Sequence, residues 1–320
     1  MRKYQFLREW ALREDEVLKN VRAIFDYGQS DSALIVGNGD DGAVLSARSE
    51  LTVLASDMAV EGIHFNFAWS SAMQVGRKVS AANLADICAM GAWPEYFLVA
   101  LAFPARFAGQ VVELAQGIKA ECQRVGVKVI GGDLSRSNEV VISISAVGRV
   151  KRPILRSGAK VGEKLFISNL PGFSAAGLSL LKSSSDNQSA AANRARLAHL
   201  APDLDYEKYR KSYEHLSSAI DTSDGLVIDA SRLAAASGVG IDIRVEQLVN
   251  SPEFSELESA SGSRESALEN ALYGGEDHLL LGSSQGQDFG FLEIGQVIKG
   301  EGLYLDGVKA DINRGYQHSW

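Results

Sequence analysis

The sequence predicts a two-domain protein of the α/β (α+β) class. Three observations carry that expectation. At 320 residues the chain is long enough for two cores of ordinary size. Strand-like and helix-like apolar runs alternate through residues 33–150. A charged, proline-containing break at Lys151-Arg152-Pro153 then precedes a second alternation beginning at 164–168. The expected division is 1–150 and 151–320.

Taken in order, residues 13–26 predict an amphipathic helix, because Val17, Leu18, Val21, Ile24 and Phe25 recur at helical spacing. Strands follow at 33–36, 43–45 and 51–55, set apart by Gly, Asn and Asp turn residues. The Ala-rich stretch 73–90 predicts a helix that packs closely. A strand at 95–103, a helix at 109–124 and strands at 127–130 and 140–150 complete the first half. In the second half a strand at 164–168 leads to 183–194, whose Ser, Asn and Ala content predicts a flexible surface excursion. Helices are expected near 206–216 and at 225–236, with strands at 239–245 and 278–281 and shorter ones towards Tyr304.

Composition excludes several functions. Net charge is −8 and no basic tract resembles a nucleic-acid footprint, so nucleic acid and anionic membrane are poor partners. The longest strongly apolar run, 96–103, is too short to cross a bilayer. The N-terminal stretch is charged and carries no apolar signal region. Cys88 and Cys122 provide neither a disulfide framework nor metal spacing, and buried thiols in a reducing cytoplasm are expected. Walker-type Gly-Lys-Ser/Thr, a kinase His-Arg-Asp set and a Gly-x-Ser-x-Gly elbow are all missing.

Seven aspartates recur in short clusters: Asp40, Asp41, Asp57, Asp86, Asp133, Asp221 and Asp224. Gathered carboxylates repel one another unless a cation joins them, and Mg²⁺ takes oxygen ligands from carboxylates and substrate phosphates. That points to phosphoryl transfer. Each cluster also has a plainer reading. Gly39-Asp40-Asp41-Gly42 fits a hairpin turn. Asp57 ends the expected strand 51–55, and strand ends collect ligands in α/β proteins. His64, between Ile63 and Phe65, fits a core histidine as well as a ligand contact. Asn83 and Asp86 share a helix face beside Ile87, where a buried carboxylate needs a partner. Gly131-Gly132-Asp133 follows an expected strand and could cradle phosphate or simply turn the chain. Arg156 could pair with phosphate or sit in solvent. Ser223 or Asp224 could cap the following helix, which leaves Asp221 without that explanation. Gly274-Gly275-Glu276-Asp277 forms a last acidic turn.

The ordered series GDDGAV, SDMAVEGIHF, NLADICAMGAWP, GGDLSRS, LRSGAKVGE, DTSDGL and GGED resembles the thiamine-monophosphate kinases. That family belongs with aminoimidazole ribonucleotide synthetase and selenophosphate synthetase. The resemblance implies a synthetase-like fold, with a mixed-sheet N-terminal domain that pairs in a homodimer and a C-terminal α/β domain closing over nucleotide and substrate. It implies ATP as co-substrate, several Mg²⁺ ions, and direct in-line transfer to thiamine monophosphate with no covalent nucleophile. By the same resemblance Asp41, Ser56, Asp57, Asp86, Asp133, Asp221 and Asp224 hold metal. Gly132, Asp133, Arg156 and Ser223 contact ATP, and His64, Glu276 and Tyr316 contact thiamine monophosphate. Ala55, Val125 and His278 depart from the family pattern. The alternatives are another ATP-using enzyme of the superfamily and a catalytically silent nucleotide-binding relative.

Overall fold

The computed structural model describes residues 14–26, 32–36, 44–286 and 289–314. Asp41, and Tyr316 near the C-terminus, lie outside the described residues. The chain divides into two compact units, Met1–Asn83 with Pro94–Arg149, and Leu84–Trp93 with Val150–Trp320.

The first unit carries, in chain order, α1 (Glu14–Ile24), β1 (Leu34–Val36), β2 (Val44–Leu45), β3 (Leu51–Val60), α2 (Ala72–Ala89), β4 (Trp93–Phe103), α3 (Val111–Gln123), β5 (Lys128–Arg136) and β6 (Val141–Val150). The last turns of α2, from Leu84, group with the second unit. β1 and β2 form a small antiparallel ladder. The main sheet has the order β3-β6-β4-β5, with β4 and β5 parallel. Strand alternation decides its faces: Ile142, Ile144 and Ala146 of β6 are buried, while Ser143, Ser145 and Val147 between them are half-buried. The helices α2 and α3 cross at glycine. A Cβ on Gly76 would stand 2.3 Å from the Leu114 carbonyl oxygen, and one on Gly117 would stand 2.1 Å from that of Met73.

The second unit contains β7 (Lys164–Ile167), α4 (Phe173–Lys182), α5 (Ala190–Leu200), α6 (Tyr206–Ser212), β8 (Ser218–Asp221), α7 (Leu226–Ser237), β9 (Gly240–Ile243), α8 (Val245–Val249), α9 (Phe254–Ser261), α10 (Arg264–Tyr273), β10 (Leu280–Ser284), β11 (Leu292–Ile298), β12 (Gly302–Leu305) and β13 (Val308–Lys309). Its sheet runs β13-β12-β9-β11-β7-β10-β8. Only the β9–β12 pair is parallel among the described strands of this sheet. Leu165, Ile167, Ile220, Leu226, Leu233, Ile241 and Ile294 build its core.

Several expectations need correction. β3 runs on to Val60, so Asp57 sits within a strand rather than at its end. β5 continues through Arg136 and takes in Gly131-Gly132-Asp133. A bulge explains why its sequence hid this. Phe97 faces Val129 and Leu98 faces Gly131, which leaves Ile130 as an extra residue and buries two neighbours in a row. Of the expected surface excursion at 183–194, residues 183–189 form a largely exposed connection, while 190–194 already belong to α5. Ser189 caps α5 by accepting the Ala192 N–H at 3.2 Å, and Arg194 binds Glu253 at 2.6 Å while lying over the Phe173 ring. The helices α8, α9 and α10 went unread because they are short, at 5, 8 and 10 residues, too few turns to mark an apolar face. No helix among the described residues is long and apolar enough to cross a membrane.

Candidate active site

In the first unit the site residues lie on two strands and one turn. Ser56 and Asp57 are consecutive on β3 and therefore face opposite sides of the sheet. The Ser56 hydroxyl donates to the Ile144 carbonyl at 3.2 Å and meets the Ser145 hydroxyl at 3.3 Å. The Asp57 backbone N–H donates to Asn83 Oδ1 at 3.3 Å, and Asn83 Nδ2 donates to the Val79 carbonyl at 2.9 Å. Buried Asn83 thus ties β3 to α2 beside an exposed carboxylate. His64 is half-buried, and its Nδ1 accepts the Val60 N–H at 3.1 Å, which fixes the tautomer of the neutral ring.

Gly132 and Asp133 stand on β5 opposite Val99 and Ala100. A Cβ at position 132 would lie 1.9 Å from the Val99 carbonyl oxygen, so close strand approach alone requires glycine there. Asp133 is exposed, and its Oδ2 accepts the Ser135 hydroxyl at 3.1 Å. β3 and β5 are the two edges of the sheet, with β6 and β4 between them. Three inter-strand spacings, about 14 Å, therefore separate the strands of Asp57 and Asp133. Among the described residues no group of three or more His, Cys, Asp or Glu side chains is disposed to hold a metal ion.

The second unit gathers more. Asp86 is half-buried on α2, beside fully buried Ile87 and Cys88. Burial pushes the Cys88 thiol up to about 12, against the opposing hydrogen bond with Tyr213, so it is inert. Arg156 is exposed in a 3₁₀ turn, Arg156–Gly158, whose first carbonyl accepts the Ser237 hydroxyl at 2.7 Å. Asp221 closes β8 opposite Leu280 of β10 and is 4% exposed, with His278 Nδ1 at 3.5 Å from its Oδ2.

The turns around Asp221 and Glu276 are laced together. The Thr222 N–H donates to the Leu279 carbonyl at 2.9 Å, and the His278 N–H to the Thr222 carbonyl at 2.9 Å. The Glu276 N–H donates to the Ser223 carbonyl at 2.7 Å. Asp221, Ser223, Asp224 and Glu276 therefore belong to one cluster. The helix α7 is capped by neither Ser223 nor Asp224. Its N-cap is Gly225, without a side-chain bond, and Asp229 inside the helix reaches back instead. Asp229 Oδ2 accepts the N–H groups of Asp224 and Gly225, and Arg232 Nη1 bridges Asp229 at 2.6 Å and Asp224 at 2.5 Å. Burial, then the nearby Asp221 charge, raises the Asp229 carboxyl to about 7.

Asp277 serves the fold. Its two oxygens accept the N–H groups of Gly172 and Ser174, at 2.6 and 3.0 Å, at the start of α4. Burial raises its carboxyl to about 6 despite those bonds. Glu276 and His278 adopt left-handed backbone, with φ of 64° and 53°. Such conformations in non-glycine residues cluster at functional sites. His199, at the end of α5, lies with its Nδ1 3.4 Å from Glu276 Oε2 and 3.2 Å from the buried Ser174 hydroxyl. Sequence reading missed Asp229, Arg232 and His199. The i, i+4 relation of Gly225 to Asp229 could have flagged the first, but nothing local marks His199.

Comparison with known proteins gives a consistent picture. Residues 39–150 match the family described as AIR synthase related protein, N-terminal domain. The thiamine-monophosphate kinase of Aquifex aeolicus is 35% identical over 287 residues, covering 88% of this chain and 92% of that protein. The crystal structure of thiamine-monophosphate kinase from Stenotrophomonas maltophilia K279a superposes with a TM-score of 0.82 at 28% identity, covering 95% of this chain and 98% of that one. The structure of AaThiL complexed with AMPPCP and TMP superposes with a TM-score of 0.79 at 30% identity, covering 100% and 99%.

Proposed function

The chain belongs to the thiamine-monophosphate kinase family, and on that premise we propose that it transfers the γ-phosphoryl group of ATP to thiamine monophosphate, giving thiamine diphosphate and ADP. The observation that carries this reading is full-length similarity to a kinase captured with AMPPCP, an ATP analogue, and TMP. The acceptor oxygen of a phosphate monoester is already anionic at neutral pH, so no strong base is required. The difficulty lies in bringing two anions into line, and the task of the protein is to position and neutralise them. No side chain needs to act as a covalent nucleophile.

The proposed metal residues offer only oxygen donors, the set that suits Mg²⁺. Ser56, Asp57, Asp86, Asp133, Asp221 and Asp224 are the proposed ligands, with Asp41 assigned by resemblance alone. Bound there, Mg²⁺ would neutralise phosphate charge as it develops. Asp224 fits least directly, because Arg232 now holds its carboxylate and would have to release it. Gly132, Asp133, Arg156 and Ser223 are proposed to contact ATP. His64, Glu276 and Tyr316 are proposed to contact thiamine monophosphate. In the sequence division, residues 1–150 are assigned metal-binding, ATP-binding and dimerisation roles, and 151–320 further contacts to nucleotide and substrate.

A homodimer is part of the proposal. Leu54 and Met58, 73% and 60% exposed, stand on edge strand β3. Edge-to-edge pairing of β3 with β5 of a second copy would cover both edges. It would also bring Asp57 of one copy beside Asp133 of the other, which a single sheet keeps apart. The two buried free thiols suit a cytoplasmic protein.

The test is product formation by purified protein with ATP, Mg²⁺ and thiamine monophosphate, resolved by chromatography. Thiamine diphosphate should appear in step with ADP. ATP binding without thiamine diphosphate would overturn the reading in favour of another acceptor or a silent relative.

A further inference from the structure

We propose that His199 is a positioning residue for the phosphate acceptor, fixing the Glu276 carboxylate through Nδ1. This rests on the assignment of Glu276 to thiamine monophosphate binding. The backbone of Glu276 is already held, since its φ of 64° is stabilised by its N–H bond to the Ser223 carbonyl at 2.7 Å. Its side chain is a different matter. The carboxylate is 31% exposed at the end of a flexible stem, and something must select one rotamer if it is to meet a ligand in a fixed direction.

His199 is built to do so. Its side chain is 6% exposed and projects from the last turn of α5 with Nδ1 3.4 Å from Glu276 Oε2. The same nitrogen lies 3.2 Å from Ser174 Oγ. A carboxylate only accepts, so contact with Glu276 requires the proton on Nδ1, and the Ser174 oxygen then serves as a second acceptor. Ser174 is itself anchored, because its N–H donates to Asp277 Oδ1 at 3.0 Å. Two consecutive residues of the acidic turn are thereby tied to the start of α4, Asp277 directly and Glu276 through His199. One Glu276 oxygen faces the histidine, and a carboxylate held in one direction suits a ligand bearing positive charge and N–H donors. Thiamine, with its thiazolium ring and exocyclic amine, has that chemistry.

A core histidine that merely satisfies Ser174 would predict lost stability and unchanged substrate recognition. Steady-state kinetics with ATP and thiamine monophosphate separate the two roles. H199A should raise KM for thiamine monophosphate roughly tenfold, as for loss of one hydrogen bond to a charged group, with KM for ATP little changed. H199N, whose amide N–H falls near the Nδ1 position, should recover most of that loss, and H199Q should not. In an E276A background, H199A should add no further change in KM. An unchanged KM in folded H199A, or a full additive effect beside E276A, would overturn the proposal. Should H199A fail to fold, equal KM values for H199N and H199Q would do the same. The underlying assignment fails separately: if E276A leaves KM for thiamine monophosphate unchanged, Glu276 does not contact the acceptor and His199 falls with it.

Discussion

Asp229 Oδ2 accepts the backbone N–H of Gly225 at 3.1 Å, doing for α7 what an N-cap side chain ordinarily does. It accepts the Asp224 N–H as well, at 3.0 Å. The shape of the turn that presents Asp221, Ser223 and Asp224 is therefore set from within the following helix. Neither Ser223 nor Asp224 is spent on capping α7.

Removing that carboxylate should loosen the turn. Asp229→Ala strips the acceptor from two N–H groups and removes one of the two carboxylates that Arg232 bridges. A loss of about 2–4 kcal/mol is expected in urea unfolding, typical of breaking a buried hydrogen-bonded charge network. Asp229→Asn should cost less, because its amide oxygen can still accept both N–H groups. A loss below about 0.5 kcal/mol for the alanine variant would show that the turn holds itself.

Asp277 gives a pH signature. Its folded-state value of about 6 lies above the ordinary 3.8, with burial as the main cause. Between those values the folded chain binds more protons than the unfolded one, so this group's contribution to stability falls as pH rises. The contribution is fully present below the unfolded value and diminishes by about 3 kcal/mol towards pH 6 and above. Asp277→Asn cannot titrate. The stability advantage of the native protein over this variant should therefore be larger at pH 4 than at pH 7. Equal differences at the two pH values would show that Asp277 ionises normally.

Both units' alternation of strands and helices was legible because apolar periodicity reports burial directly. What could not be read locally was where strands stop. β5 hid its continuation behind the bulge at Ile130, and β3 continued past Asp57 with polar residues that suit an open edge. The acidic motifs were legible as motifs, but their partnerships were not. The bond from Glu276 to Ser223 spans more than fifty positions, and that between Asp277 and Gly172 more than a hundred. Such pairs are decided by sheet order, which no local pattern encodes. Gly132 illustrates the limit from the other side. Glycine beside aspartate suggested a phosphate cradle, yet contact with the Val99 carbonyl already demands it.

The crossing of α2 and α3 offers a direct test of packing. A Cβ on Gly117 would meet the Met73 carbonyl oxygen at 2.1 Å, and backbone cannot swing aside as a side chain can. Gly117→Ala should force the helices apart and cost about 1–3 kcal/mol, despite alanine's better helix propensity. Thermal melts of the two proteins measure this. Stabilisation of the variant would mean that the crossing is looser than the glycine pair indicates.

The open face of the four-stranded sheet bears on assembly. Leu54 and Met58 share the face of Ser56, whose hydroxyl meets Ser145 rather than the buried side of β6. Large apolar side chains so exposed on an edge strand favour association. Sedimentation of the native protein should give twice the 34.4 kDa of one chain. Leu54→Glu combined with Met58→Glu should shift it to a single chain, since burying two carboxylates without partners would oppose pairing. If pairing of β3 with β5 also unites Asp57 with Asp133, the separated variant should lose Mg²⁺-dependent turnover although neither aspartate has changed. A variant that separates yet keeps full activity would show that each chain completes its own metal site. A variant that remains paired would place the interface elsewhere.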